Sequence, residues 1–165
     1  MQTLQQLCEA VLARNPEQQA VEFEGRWYNW GQLAYVADRV SRLLGESGVD
    51  AAAAITFVPR NRPSALAALL ALLSQGRNIR MLYAFQSAAS IARQVEQQRP
   101  AVVVAAEQDF SPELRAILQQ KGIAGIALEE MGARASPVSG NKHPAVGTLA
   151  TEPRIEILTS GTTGA

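Results

Sequence analysis

The sequence predicts an α/β fold: a largely parallel sheet flanked by helices, preceded by an N-terminal helix and a short hairpin. Three observations carry this expectation. Helical and strand-like segments alternate along the chain, the pattern of a parallel sheet with crossover helices. The runs Ala53–Val58 and Ala101–Ala105 are apolar but for Thr56, as strands covered on both faces largely are. The chain has 165 residues, 47% of them apolar and 18% charged. A chain of that size buries roughly 70% of its unfolded surface, enough for one core without staples.

Taken in order, the first helix is expected from about Leu4 to Arg14. Thr3 and Gln6 have the spacing of a capping box, and Leu4, Leu7, Val11 and Leu12 share one face. Asn15-Pro16 stops it. Val21–Glu24 and Trp27–Asn29 read as a hairpin turning at Gly25-Arg26. Asn29 caps a second helix, with Gln32 three residues on and Leu33, Val36, Val40, Leu43 and Leu44 as its buried stripe. Gly48 suits a left-handed end to it. Ala53–Val58 is then a buried strand. Pro63 opens a helix that is apolar nearly all round and so belongs deep in the core.

Ile79–Leu82 is a strand that Arg80 weakens, and Ser87 to about Gln98 is a helix stopped by Arg99-Pro100. Ala101–Ala105 is the clearest strand, β-branched and bounded by proline. Ser111-Pro112-Glu113 starts a helix that Gly122 ends, and Ile123–Leu128 is one more strand. From Gly132 to Pro153 the residues are mostly Gly, Ser, Pro and Ala, which predicts a loop or linker. Arg154–Leu158 resumes as a strand. The expected organisation is therefore an α/β unit over 1–131, a connecting segment over 132–153, and a strand with a polar loop over 154–165.

Lys plus Arg and Asp plus Glu number 15 each, so the net charge is zero. A partner made of nucleic acid is not expected, because neutralising many phosphates calls for a basic excess. The N-terminus lacks a basic stretch followed by an apolar one, so no secretory signal is visible. The greasiest run, Ala65–Leu73, is far short of the ~20 residues that span a bilayer. Cys8 is the single cysteine and can form no internal disulfide. A cytoplasmic protein without a membrane span is the expectation.

The residues with chemistry in them come last: Thr159, Ser160, Gly161, Thr162, Thr163 and Gly164, directly after a strand. Glycine lets backbone N–H groups turn toward an anion, because a Cβ would obstruct both the conformation and the approach. Hydroxyl groups add neutral donors that follow phosphate oxygens. Taken alone, such a hexamer at a chain end is more often a polar tail. It is not a Walker loop, since no Lys-Ser/Thr follows a longer glycine spacing.

Thr-Ser-Gly-Thr-Thr-Gly after a strand resembles the phosphate-loop signature of the adenylate-forming superfamily: acyl-CoA synthetases, peptide-synthetase adenylation domains and luciferases. The family pattern continues with a variable residue, here Ala165, and then Pro-Lys-Gly. Other segments agree in order. Trp27–Leu33 is similar to the family's early strand and its Thr-Tyr/Trp-x-Glu-Leu helix start. Ile55–Asn61 is similar to the strand leading into its asparagine loop, Leu69–Gly76 to its alanine-rich helix, and Arg99–Ala105 to its Lys-Pro-Lys-Val-Val-Val strand. Two places depart from the pattern. Arg77–Tyr83 stands where the family has Val-Pro-Ile/Leu-Asn/Asp-Pro, and Gln32 where it has Glu.

The resemblance implies the first subdomain of an ATP-dependent acid–thiol ligase that turns a carboxylic acid into an acyl-adenylate. It also implies ATP with Mg2+, a small-molecule carboxylic acid as substrate, and coenzyme A or carrier-protein pantetheine as acceptor. The role carried over is that Thr159–Gly164 holds the β- and γ-phosphates. No catalytic residue of the family falls within 1–165, so this stretch is expected to be inactive alone. Its last strand, with Ile155 and Ile157 on one face, leaves two outcomes open: a homodimer through that edge, or a frayed end and a monomer. The competing expectation is a stand-alone, non-catalytic binding module built on the same fold. Of the remaining residues, His143 reads as a solvated loop residue, Trp27 and Trp30 as packing, and Arg60 and Arg62 as a solvated loop around Asn61. No Cys/His cluster suggests a metal.

Overall fold

A computed structural model describes residues 1–136 and 152–157. Helix α1 (Leu4–Leu12) is capped as expected. The Gln6 N–H donates to Thr3 Oγ1 at 3.2 Å, and Gln6 Oε1 accepts from the Thr3 N–H at 3.0 Å. The helix stops short of Arg14, and its buried residue is Cys8, while Leu4 and Leu7 stay exposed. The cause is placement: α1 packs mainly on one other helix, from outside, so it buries only a narrow strip.

Strands β1 (Gln19–Phe23) and β2 (Arg26–Asn29) form the antiparallel hairpin. Its turn is Glu24-Gly25 rather than Gly25-Arg26, with φ of 51° and 76°. Positive φ at both central residues matches the twist of a two-residue hairpin. Helix α2 (Trp30–Glu46) carries the Asn29–Gln32 capping box, and all five residues of its expected stripe are buried. Gly48 follows with the expected left-handed φ of 67°. Trp30 packs against the core with the Arg14 guanidinium 5.7 Å from its ring. Trp27 does not pack as expected. It is half exposed, because the hairpin turns Tyr28 inward instead.

The sheet is built from β3 (Ala54–Val58), β4 (Asn78–Met81), β5 (Val102–Ala106), β6 (Ala124–Glu129), β7 (Gly132–Ala135) and β8 (Ile155–Ile157). The spatial order is β7-β6-β5-β3-β4-β8. All pairings are parallel except β6 with β7. Helices α3 (Pro63–Ser74), α4 (Ala88–Gln98) and α5 (Pro112–Lys121) connect the strands. Ser87 and Ser111 cap α4 and α5 through their side chains, and Gly122 ends α5 in the left-handed region.

Two cores result from the two-residue period of the strands. Ile55, Phe57, Val102 and Val104 face α2 and α3. Val58, Val103 and Ala105 face α4 and α5. Every residue of β3 and β5 is buried, as their largely apolar runs lead one to expect, and the one polar side chain, Thr56, donates its hydroxyl to Gln98 Oε1. Helix α3 is buried along most of its surface, under α1 and α2, with Leu66 exposed. Among the described residues no helix is long and apolar enough to cross a membrane.

The segment read as a loop from Gly132 begins with a strand instead. β7 turns back onto β6, buries Ala133 beside α2, and accepts a hydrogen bond at the Ala133 carbonyl from Arg39 Nε at 3.2 Å. Four residues are too few to show alternation in sequence, and the pairing comes from the neighbouring strand. Gly125 permits the close fit there. A Cβ on it would lie 2.8 Å from that of Ser136 and 3.0 Å from the Phe110 ring. Residues 137–151, including His143, lie outside the described residues.

Candidate functional site at the carboxyl edge of the sheet

In open α/β sheets ligands gather at the carboxyl ends of strands, where neighbouring connections leave toward opposite faces. Here β3 is the strand that differs from its neighbours. It exits through α3 toward one face, whereas β4 and β5 exit through α4 and α5 toward the other. Between the ends of β3 and β5 the protein's own side chains form an ion pair. Arg60 donates twice to Asp109, Nη2 to Oδ1 at 2.6 Å and Nε to Oδ2 at 2.9 Å. Its Nη2 also reaches the Ala84 carbonyl at 3.5 Å, and the guanidinium lies 5.3 Å from the Phe85 ring centroid.

The Arg60 side chain is 22% exposed and that of Asp109 4%, so the solvated loop expected around Arg60 is instead a nearly closed ion pair. Its hydrogen bond to Asp109 raises the arginine's already high pKa further, against the opposing effect of burial. Arg60 thus joins the loops after β3, β4 and β5. Arg62 and Asn61 are exposed, as expected of them. Sequence reasoning missed Asp109, Tyr83 and Phe85. The available signal was position: Asp109 lies three residues beyond β5, at its carboxyl end.

Further along the same edge lie the ends of β4 and β8. β8 runs parallel to β4 with Ile157 opposite Met81, so it too ends at the carboxyl edge. Beside it Tyr83 and Phe85 are exposed, with ring centroids 5.6 Å apart. The expected phosphate-binding residues Thr159, Ser160, Gly161, Thr162, Thr163 and Gly164 follow β8 in sequence and lie outside the described residues.

Arg80 does not weaken β4. Its Nε donates to Glu156 Oε2 at 3.1 Å, and its Nη1 donates to the Gln98 carbonyl at 3.2 Å. A concavity of about 350 Å3 lies between the hairpin and α3 and reaches the carboxyl end of β3, where Phe57 and Arg60 line it together with Val21, Phe23, Leu66 and Leu69. Among the described residues there is no group of three or more His, Cys, Asp or Glu that could hold a metal ion.

The fold is an open α/β domain with a mostly parallel six-stranded sheet. A family model described as AMP-binding enzyme matches residues 8–165, and the chain belongs to that family. A search of curated proteins finds no match.

Solved structures share the fold. Apo MatB from Rhodopseudomonas palustris is 22% identical with a TM-score of 0.65, and the match covers 96% of this chain and 33% of that one. An anthranilate CoA ligase, AuaEII, solved with anthranoyl-AMP, is 14% identical with a TM-score of 0.57, covering 70% and 22%. The nonribosomal peptide synthetase FmoA3, solved with alpha-methyl-L-serine-AMP, is 25% identical with a TM-score of 0.57, covering 67% and 12%. The chain therefore spans a third or less of the length of these structures.

Proposed function

We propose that this chain is the N-terminal part of an ATP-dependent ligase that activates a carboxylic acid as its acyl-adenylate. In that reaction a carboxylate oxygen bonds to the α-phosphorus of ATP, the bond from that phosphorus to the bridging oxygen breaks, and pyrophosphate leaves. Thr159, Ser160, Gly161, Thr162, Thr163 and Gly164 are proposed to hold the β- and γ-phosphates. Their hydroxyl and backbone N–H donors would meet the charge that develops on the leaving pyrophosphate. ATP enters with Mg2+, and the acyl group then passes to a thiol, either coenzyme A or a carrier-protein pantetheine.

The observation that carries the reading is the family match over residues 8–165, which includes that segment. The direction of β8 supports it, since the strand ends at the edge where α/β sheets bind ligands. Names of similar structures support the substrate class, with a CoA ligase and a peptide synthetase each solved with an acyl-AMP compound.

The test is carboxylate-dependent exchange of pyrophosphate into ATP by the full-length protein, across a broad panel of acids. Exchange is expected from the full-length protein and not from residues 1–165 alone. Thr162→Ala and Gly161→Val are expected to lower kcat/KM for ATP by about tenfold or more. Silence across the whole panel would reject the ligase and favour a non-catalytic binding module. Exchange by the isolated 165 residues would refute the placement of the remaining site elsewhere.

A further inference from the structure

Strand β8 has three residues, and both of its isoleucines are exposed, Ile155 by 43% and Ile157 by 69%. Apolar burial therefore does little to hold it. Among the described strands only β4 pairs with it, so it is also an edge. Its middle residue, Glu156, is the one side chain of β8 that is not exposed, and it stands directly opposite Arg80.

The Arg80 side chain is 13% exposed, against 49% for Arg154, which binds the other carboxylate oxygen of Glu156 at 2.7 Å. Arg80 is the inner partner and Arg154 the outer one. The second donor of Arg80 goes to the carbonyl of Gln98, the last residue of α4. Carbonyls at a helix end lack a partner within the helix and carry partial negative charge, so a cation there is favoured. The Gln98 side chain is held in turn, its Oε1 accepting from the Thr56 hydroxyl at 2.9 Å. One guanidinium thus ties β8 to β4 and to the end of α4. A lysine could not do this, because it lacks the planar fork of donors.

We propose that Arg80 is a positioning residue: through Glu156 it holds β8, the strand that leads in sequence into Thr159–Gly164, in register on β4. The proposal rests on reading that segment as phosphate-binding.

Two readouts test it. The first is amide hydrogen exchange at Ile155–Ile157, and the second is the split between KM for ATP and kcat in pyrophosphate exchange by the full-length protein. Arg80→Met keeps the aliphatic stem and removes the cation. It is expected to speed exchange in β8 by about tenfold, equivalent to ~1.4 kcal/mol, with β5 unchanged. KM for ATP is expected to rise about tenfold while kcat stays within about twofold. Arg80→Lys should recover part of both effects.

Should Arg80→Met fail to fold, Glu156→Gln at the more exposed partner carries the same expectations at smaller amplitude. Unchanged β8 protection in both variants overturns the anchoring. Faster exchange with unchanged KM, or a fall in kcat alone, overturns the positioning role and leaves the ligase reading intact. A wild-type protein with no pyrophosphate exchange overturns the ligase reading and this role with it, whatever the hydrogen exchange shows.

Discussion

Asp109 and Arg60 show how much the surroundings of a charge decide its worth. Their two short hydrogen bonds lie between the ends of β3 and β5, with Asp109 nearly inaccessible to water. Arg26 and Glu130 are also an ion pair, at 3.6 Å, but both side chains are mostly exposed. An exposed pair is screened and loses side-chain freedom, so it contributes little. A buried donor that loses a charged partner bears the cost of its own desolvation. Asp109→Asn is therefore expected to lower unfolding free energy by about 1–3 kcal/mol, and Arg26→Ala by less than ~0.5 kcal/mol. Urea denaturation of both variants checks this. Equal effects would mean that the Arg60–Asp109 pair is not shielded in solution.

Local elements carry two further expectations. In the β1–β2 turn, nothing lies within 4 Å of where a Gly25 Cβ would be, so only backbone conformation opposes a side chain there. With φ of 76°, Gly25→Ala should cost about 1 kcal/mol. Glu24 sits at φ 51°, a region that asparagine tolerates better, so Glu24→Asn should stabilise by a few tenths of a kcal/mol to about 1 kcal/mol. Thermal unfolding of the two variants should move Tm in opposite directions. Movement in the same direction would mean that the turn differs from the one described.

At the start of α5, the Glu113 carboxyl is held below the ordinary carboxylate range by hydrogen bonds from its own backbone N–H and from Ser111, in that order of importance. Its folded pKa is thus lower than its unfolded one. The stabilisation is complete above the unfolded value and is lost as pH falls through the folded one. Glu113→Gln should therefore be less stable than the wild type at neutral pH, with the gap closing as acid is added. A gap that stays constant with pH would rule out this contribution.

At the scale of the whole molecule, β8 is the outermost strand of the sheet among the described residues. β8 has a single strand neighbour among the described residues and exposes Ile155 and Ile157. An unpaired strand edge beside apolar side chains is a template for a second chain. The 165-residue chain is expected to self-associate through β8, most simply as a two-fold dimer. Light scattering should give a dimer mass at tens of micromolar, by the affinity arithmetic, and Ile157→Lys should return it to a monomer. A monomeric mass for the unmodified chain under those conditions would exclude this interface.

Much of the fold was legible because its signals are local. Capping side chains reach only three residues, so Thr3 with Gln6 and Asn29 with Gln32 could be read directly. The largely apolar runs of β3 and β5 implied burial on both faces, and the stripe of α2 implied the helix that covers one of them. The hydroxyl- and glycine-rich hexamer after the last strand was legible by resemblance, and the family match covers it.

What needed the tertiary structure was everything set by a distant partner. Arg60 finds Asp109 across 49 residues, and Arg80 finds Glu156 across 76. β7 is a strand because β6 offers it an edge, and α1 exposes Leu4 and Leu7 because only its Cys8 side meets the core. Hydrophobic periodicity and capping act within a few residues, so sequence determines which elements form. Which charges meet is decided only when the strand order brings their loops together, because an ion pair carries no mark in the sequence of the partner that will complete it.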